Sequence, residues 1–282
     1  MTRALATRAL VAGPLHSSVE RLDAAIGWLA VRVGLPEEAA DGPAWVRCTD
    51  VDAAFLAGWE ERMAGTVTRT CGRTHPMTVS GFCLDGYAGL PGQVGGALFR
   101  LARRVPRVDR ASLAFRCDPE EHHPDGIALL DPRFWCLPGD PDADHPAATV
   151  VADEAELAAV LRTQVRAHAD EFLAGYRGGA RLPRRGLLGA FYDGLDTGVW
   201  FGGDPEDVAS VAEAAAVLPG GTVEFAAPSS LYRFVDVQDR EHISRRRVGC
   251  CYYFKVADDG LACSTCPRVD DAERVQRYSQ LP

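Results

Sequence analysis

The sequence predicts an α+β fold, mostly helical, in which a large N-terminal domain carries a small C-terminal segment. Three observations predict it. Long stretches repeat apolar residues at helical spacing, short apolar runs bounded by Asp, Pro and Gly read as strands, and four cysteines crowd towards the end of the chain.

The elements follow in order. Ser17-Ser18-Val19-Glu20 reads as a helix cap, and Leu22, Ile26, Leu29 and Val33 continue at helical spacing to Gly34-Leu35-Pro36. After a loop rich in Glu, Ala and Gly, Asp50 is placed as the cap of a second helix that buries Phe55, Leu56, Trp59 and Met63. Residues 76–104 read as two helices broken near Gly89-Leu90-Pro91-Gly92. Residues 111–115 and 126–130 are the strand-like runs, the two prolines within 131–138 exclude a helix there, and 138–146 is an acidic loop. From 153 to 176 one helical face collects Leu157, Val160, Leu161, Val165, Phe172, Leu173 and Tyr176. Pro183 opens a helix over 184–200 that Gly202-Gly203 stops. A last helix over 205–217 closes at Pro219-Gly220-Gly221, and 222–225 reads as a strand. The domain boundary is placed before Asp236, giving domains 1–235 and 236–282. The second is too short for a hydrophobic core of its own, so whatever its cysteines bind must staple it, and it must pack on the larger domain.

Composition narrows the function. The 282 residues are 47% hydrophobic and 24% charged, as in an ordinary globular protein. The formal net charge of −9 argues against general nucleic-acid binding, which draws its affinity from a basic field. Lys255 is the only lysine, so the positive charge is nearly all arginine. No run is long and apolar enough for a membrane span, and residues 1–13 lack the apolar core of a signal peptide. Nine cysteines, five of them isolated, suit a reducing compartment, and the expected location is cytoplasmic.

The chemistry sits in Cys250-Cys251, eleven intervening residues, then Cys263-Ser264-Thr265-Cys266-Pro267. Four thiolates select zinc or an iron–sulfur cluster. Zinc ribbons use two C-x-x-C knuckles bent onto one ion. Here the first pair has no spacer, and adjacent side chains diverge, which suits two different positions better than one small ion. A [2Fe–2S] cluster, offering two tetrahedral irons to four cysteines, is favoured over structural zinc and over a disulfide staple.

This ending, entered through Arg245-Arg246-Arg247, resembles the ferric-siderophore reductases of the FhuF type. The resemblance implies that Cys250, Cys251, Cys263 and Cys266 bind a [2Fe–2S] cluster that passes one electron to siderophore-bound Fe(III). It makes 1–235 a siderophore-binding, FhuF-like domain and 236–282 the cluster domain. The expected partners are a ferric siderophore and a ferredoxin-like or flavin-dependent electron donor. Overall negative charge favours neutral or cationic hydroxamate complexes, a preference that a local arginine patch would reverse. The alternatives are a zinc-stabilised interaction module, and an iron–sulfur carrier or sensor without siderophore chemistry.

Further residues around the motif carry expectations. Arg245, Arg246 and Arg247 would stabilise a reduced, more anionic cluster or dock an anionic siderophore or acidic donor, against the plainer reading of a solvated charged segment. Tyr252, with Tyr253 and Phe254, would shield the cluster or simply pack. His242 would accept a proton coupled to reduction, or lie on the surface. His122-His123 reads as a turn rather than a metal site, and Cys71, Cys83, Cys117 and Cys136 as buried thiols. Gly194, Gly198, Gly202 and Gly203 form no nucleotide fingerprint. Tyr192 and Trp200 with Arg184 and Arg185 line a ligand cavity or pack in the core.

Overall fold

The computed structural model describes residues 13–27, 29–36, 44–202, 204 and 206–278. The expectations for residues 1–12 and for most of the Glu/Ala/Gly loop before Asp50 lie outside these residues. The chain forms a helical body with small sheets against it, and the α+β, mostly helical class holds.

The spine is a helix pair. Helix α3, Pro76–Ala102, is the longest element described, and from Thr78 to Phe99 most of its side chains are buried. It lies against α5, Arg184–Phe201, whose residues from Gly189 to Trp200 are likewise buried. Glycines set the closeness of the pair. A Cβ on Gly96 would stand 2.7 Å from the backbone nitrogen of Val199, and one on Gly194 would stand 2.8 Å from the carbonyl oxygen of Ala88. Gly92 and Gly198 meet the facing backbone as tightly. The expected break at Gly89–Gly92 is therefore a correction, because α3 runs straight through Pro91. Proline inside a helix removes one hydrogen bond and costs about 3 kcal/mol or more. Here the packing of α3 against α5 offsets that cost.

The other helices flank this pair. Helix α4, Glu154–Gly175, begins where Asp153 accepts the N–H of Glu156, and buries Leu157, Leu161, Val165 and Phe172 as its periodicity predicts. Its Phe172 ring stacks on Tyr87 of α3 at 3.9 Å. His168 donates from Nδ1 to the carbonyl of Val108 at 2.7 Å and accepts from the Tyr87 hydroxyl at 3.0 Å. Burial pushes this imidazole down to about 4, so it is a neutral core residue. Helix α2, Ala53–Cys71, is capped by Asp52 rather than Asp50 and buries Leu56, Trp59 and Met63, with Phe55 only half-buried.

Two more expectations change. The first helix, α1, spans Pro14–Ala25, and the chain then forms strand β1, Ala30–Val33. Leu29 and Val33 thus leave the helical face assigned to them. Strand β2 is Val46–Arg47, and β3, Arg104–Pro106, follows α3. The two strand-like runs are strands β4, Leu113–Cys117, and β5, Pro124–Leu129; they pair antiparallel, and β1 joins β5 in parallel to give the order β1-β5-β4-β2. β3 pairs with β6, Phe134–Cys136, which also pairs with β7, Ala148–Val150. Helix α6 is shorter than expected, Ala209–Val217, and residues 222–225 turn rather than form a strand, with Thr222 accepting the N–H of Phe225. The C-terminal part begins with a hairpin of β8, Leu231–Val235, and β9, Glu241–Arg245, whose turn contains the expected domain boundary. After the cysteine loop comes α7, Asp271–Tyr278, capped by Asp270.

The glycine seam predicts opposite responses to one substitution type. Gly96→Ala and Gly194→Ala should each destabilise by roughly 1–3 kcal/mol through overpacking. Gly65→Ala, on the exposed face of α2 with nothing within 4 Å of the new methyl, should stabilise by roughly 0.5–1 kcal/mol. Urea unfolding of the three variants decides it, and equal effects at all three would remove the seam as the reason for these glycines.

Candidate metal centre

The cysteine loop is held at both ends and along its middle. At its start, Asp193 of α5 accepts the backbone N–H groups of Val248 at 2.8 Å and Gly249 at 2.7 Å. Arg247 reaches in beside it, donating to Asp85 of α3 at 2.5 Å, with its Nε 3.5 Å from the Asp193 carboxylate. Arg245 donates to the Asp193 carbonyl at 2.7 Å and also to Thr197. Burial pushes the Asp193 carboxyl up to about 6 against the pull of Arg247 and Arg245. This is a largely buried charge cluster, with Asp193 buried and Asp85 and Arg247 partly so, and it joins α3, α5 and the loop.

Past the paired cysteines, Tyr252 takes a left-handed backbone (φ 59°), which turns the chain. The Thr78 hydroxyl donates to its carbonyl at 2.9 Å. A side chain at Gly81 would stand 2.9 Å from the Cys251 carbonyl oxygen, so the loop lies directly on α3 there. Arg73, between α2 and α3, donates to the carbonyls of Val256 and Ala257. The second pair is closed by a tight turn in which the Cys266 N–H donates to the Cys263 carbonyl at 3.0 Å. The Arg247 N–H donates to the Thr265 carbonyl at 3.0 Å, joining the two halves of the loop. Arg274 of α7 is fully buried and donates to the carbonyls of Cys266 at 3.3 Å and Val269 at 3.0 Å.

All four sequence-predicted cysteines come together. Cys250 is hydrogen-bonded to Cys266, Cys251 to Cys263, and Cys263 also to Cys266. Bonds donated by their neighbours draw the Cys250 and Cys263 thiols down and correspondingly hold those of Cys251 and Cys266 up. Cys251 and Cys266 are buried, while Cys250 and Cys263 are half-buried. The thiols thus form a chain, Cys250–Cys266–Cys263–Cys251, and among the described residues no three of His, Cys, Asp and Glu gather as a site for one metal ion.

The residues fit an anionic, thiolate-bound cluster on two counts. The donor set is sulfur alone, which suits an iron–sulfur group. Beside it, the buried Nε of Arg247 and the buried Nε and Nη1 of Arg274 have no hydrogen-bond partner among the described residues, so cationic donors are held in reserve near the sulfurs.

Residues 247–268 match the family model described as the FhuF 2Fe-2S C-terminal domain. The chain carries an FhuF-type, [2Fe–2S]-binding C-terminal domain. No curated protein and no solved structure gives a significant match to the chain.

Around the FhuF-type segment the other expected residues are dispersed. Arg245 and Arg247 point inward to Asp193 and Asp85, so neither presents a free cation to a partner. Arg246 is half-exposed, paired with Asp271 and lying over the Tyr232 ring at 5.1 Å. His242 lies in the β8–β9 hairpin, bonded to Asp236 at 2.9 Å and stacked on Phe234. Tyr252 packs against the core beside Cys250. His122 is bonded to Thr66 at 2.9 Å, and its carbonyl accepts the Trp59 indole N–H at 2.8 Å, so the His122-His123 turn is an anchor on α2. Cys83 and Cys136 are buried and Cys71 and Cys117 half-buried, all as free thiols.

Sequence reasoning missed Asp85, Asp193 and Arg274, the charged residues that carry the loop. A signal existed. Asp85 and Asp193 are carboxylates in the middle of otherwise apolar helical stretches, and a buried charge needs a partner.

These joints should separate in mutagenesis. Asp193→Asn removes one side of the buried pair and turns an N–H donor towards Gly249, so it should cost roughly 3 kcal/mol or more and release iron from the FhuF-type segment. Arg246→Ala breaks only the exposed pair with Asp271 and should cost under about 1 kcal/mol. Thermal unfolding with iron analysis of each variant is the check, and equal losses would show that the buried cluster is no special joint.

Proposed function

We propose that this protein is a cytoplasmic ferric-siderophore reductase that releases iron by one-electron reduction of the bound Fe(III). The observation that carries the reading is the FhuF-type segment, with its four thiols drawn together against α3 and α5. Bound there, a [2Fe–2S] cluster supplies one-electron transfer to the Fe(III) of a chelate, replenished by a separate ferredoxin-like or flavin-dependent donor. Hard oxygen donors hold Fe(II) far less tightly than Fe(III), so the reduced iron leaves.

The protein's own residues set the conditions for this. Cys250, Cys251, Cys263 and Cys266 hold the group. Arg247 and Arg274 keep positive charge beside it, which favours the state carrying the extra electron and raises the potential. Asp85 and Asp193 fix Arg247 in that position rather than leaving it to solvent. Cys251 and Cys266 are buried and Cys250 and Cys263 half-buried, so the last two stand nearer to solvent, where electrons can be exchanged. His242, the proton acceptor expected from the sequence, lies in the β8–β9 hairpin with its Nε2 bonded to Asp236. No helix among the described residues is long and apolar enough to cross a membrane.

The test is an absorption spectrum of anaerobically purified protein before and after dithionite, with iron, sulfide and zinc assayed on the same sample. The expected result is visible absorption that bleaches on reduction, two irons and two sulfides per chain, and reoxidation by ferric siderophore. Cys→Ser at any of the four positions should abolish or severely weaken the cluster. Full occupancy and full activity in all four variants would sink the assignment. A colourless protein with zinc and no sulfide, even after reconstitution with iron, would point to the interaction module. A cluster indifferent to ferric siderophores would point to a carrier or sensor.

A further inference from the structure

A cleft of about 980 Å³ opens between α4, the first turns of α5 and residues 225–227. Its volume is at the upper end for small-molecule sites, roughly 300–1,000 Å³. Its floor is apolar, with Leu173, Leu188 and Phe225, and Tyr192 sets its ring against Phe225 at 5.9 Å. One wall is Val248, two residues before Cys250 in the loop that Asp193 holds. Gly189 makes that contact possible, since a side chain there would stand 2.8 Å from the Val248 methyl. The cleft therefore ends on the same short stretch of backbone that positions the first pair of thiols.

Its charge is one-sided. Arg166, Arg184, Arg185 and Asp170 line it. Arg166 is satisfied by Asp170 at 2.9 Å and by the Glu224 carbonyl at 2.7 Å. Arg184 and Arg185 are exposed and have no ion pair among the described residues, and they stand at the start of α5, where the helix dipole adds to their field. Three cations against one carboxylate leave a net positive rim over an apolar floor. This is local, in a chain whose overall charge is −9.

We infer that this cleft is the chelate site and that it takes an anionic ferric complex of catecholate or hydroxycarboxylate donors, with Arg184 and Arg185 selecting for negative charge. The iron in this assignment rests on the reductase reading; the binding does not. A tris-catecholate complex of a trivalent ion is strongly anionic and presents aromatic faces to the floor, whereas a tris-hydroxamate core is neutral. The general preference for hydroxamates expected from net charge is thus reversed at this cleft.

Gallium(III), which does not accept an electron under these conditions, separates binding from reduction. Calorimetric titration of the full-length, cluster-loaded protein with gallium tris-catecholate and with gallium tris-hydroxamate should show tighter binding of the catecholate. The double reversal Arg184→Glu, Arg185→Glu should weaken it by about tenfold or more and leave the hydroxamate unchanged. Ala226→Trp, at the exposed rim, should weaken both complexes by crowding the cleft, and all these proteins should melt like the unsubstituted one. Unchanged catecholate affinity in the double variant, preference for the neutral complex, or no binding to the folded protein would overturn the site. The ferric complexes are then mixed with dithionite-reduced protein. Arginine-dependent binding without reoxidation would retain the site and remove the reductase reading. Reoxidation that ignores both substitutions would do the reverse.

Discussion

The buried charge cluster of Asp85, Asp193 and Arg247 is the joint on which the C-terminal segment depends. Each charge alone would be expensive to bury, and each is satisfied only because α3 and α5 bring their carboxylates to one place. That approach depends in turn on glycine. With a methyl at Gly96 or Gly194, the two backbones could not keep their spacing. The chain of dependence runs from small residues in two helices, to a shared pair of carboxylates, to one arginine, and then to the backbone N–H groups ahead of Cys250.

The arrangement explains how a segment without a core of its own can be ordered. Val256 and Ala257 are buried, but the loop contributes few other apolar side chains. Hydrogen bonds from Thr78, Arg73 and Arg274 to loop carbonyls take their place, and each is worth about 1.5–3 kcal/mol where the donor is charged. Such bonds fix direction better than apolar contact does. That suits a loop whose task is to aim four sulfurs, since an error of an ångström in one of them would change which neighbour it meets.

The parts of this structure that were legible in the sequence are those where local signal and tertiary role agree. Helix α4 has an aspartate cap and an unbroken apolar stripe, and the core uses that stripe. The four cysteines were legible because their side-chain chemistry restricts them to few tasks. Helix α3 was misread because glycine and proline are helix breakers by local rules, and only a partner backbone pressed against them reverses their meaning. Strand β1 was misread because Leu29, Val31 and Val33 follow a helix so closely that a period of two is hard to tell from a continuing helical face. Asp193 stood out as a carboxylate in an apolar stretch, but its partners did not. Its role comes from the N–H groups of residues far along the chain, and no local pattern encodes those.

The arginines show why charge in a sequence is a poor guide to what a partner meets. Arg245, Arg246 and Arg247 adjoin the thiols and look like a docking patch, yet two of them turn inward to balance carboxylates and the third is paired with Asp271. Of the three, Arg247 alone acts on the thiols, through space, as a fixed charge beside Cys250, Cys251 and Cys263. Arg184 and Arg185 are distant in sequence and exposed on the rim of the cleft, and among the described residues they have no such commitments. A guanidinium already balanced by a buried carboxylate adds little net field at the surface, whereas an unbalanced pair on the rim of an apolar cleft adds a great deal. Recognition and redox tuning can thus be divided between two sets of arginines, joined through Val248. A change in one set need not disturb the other.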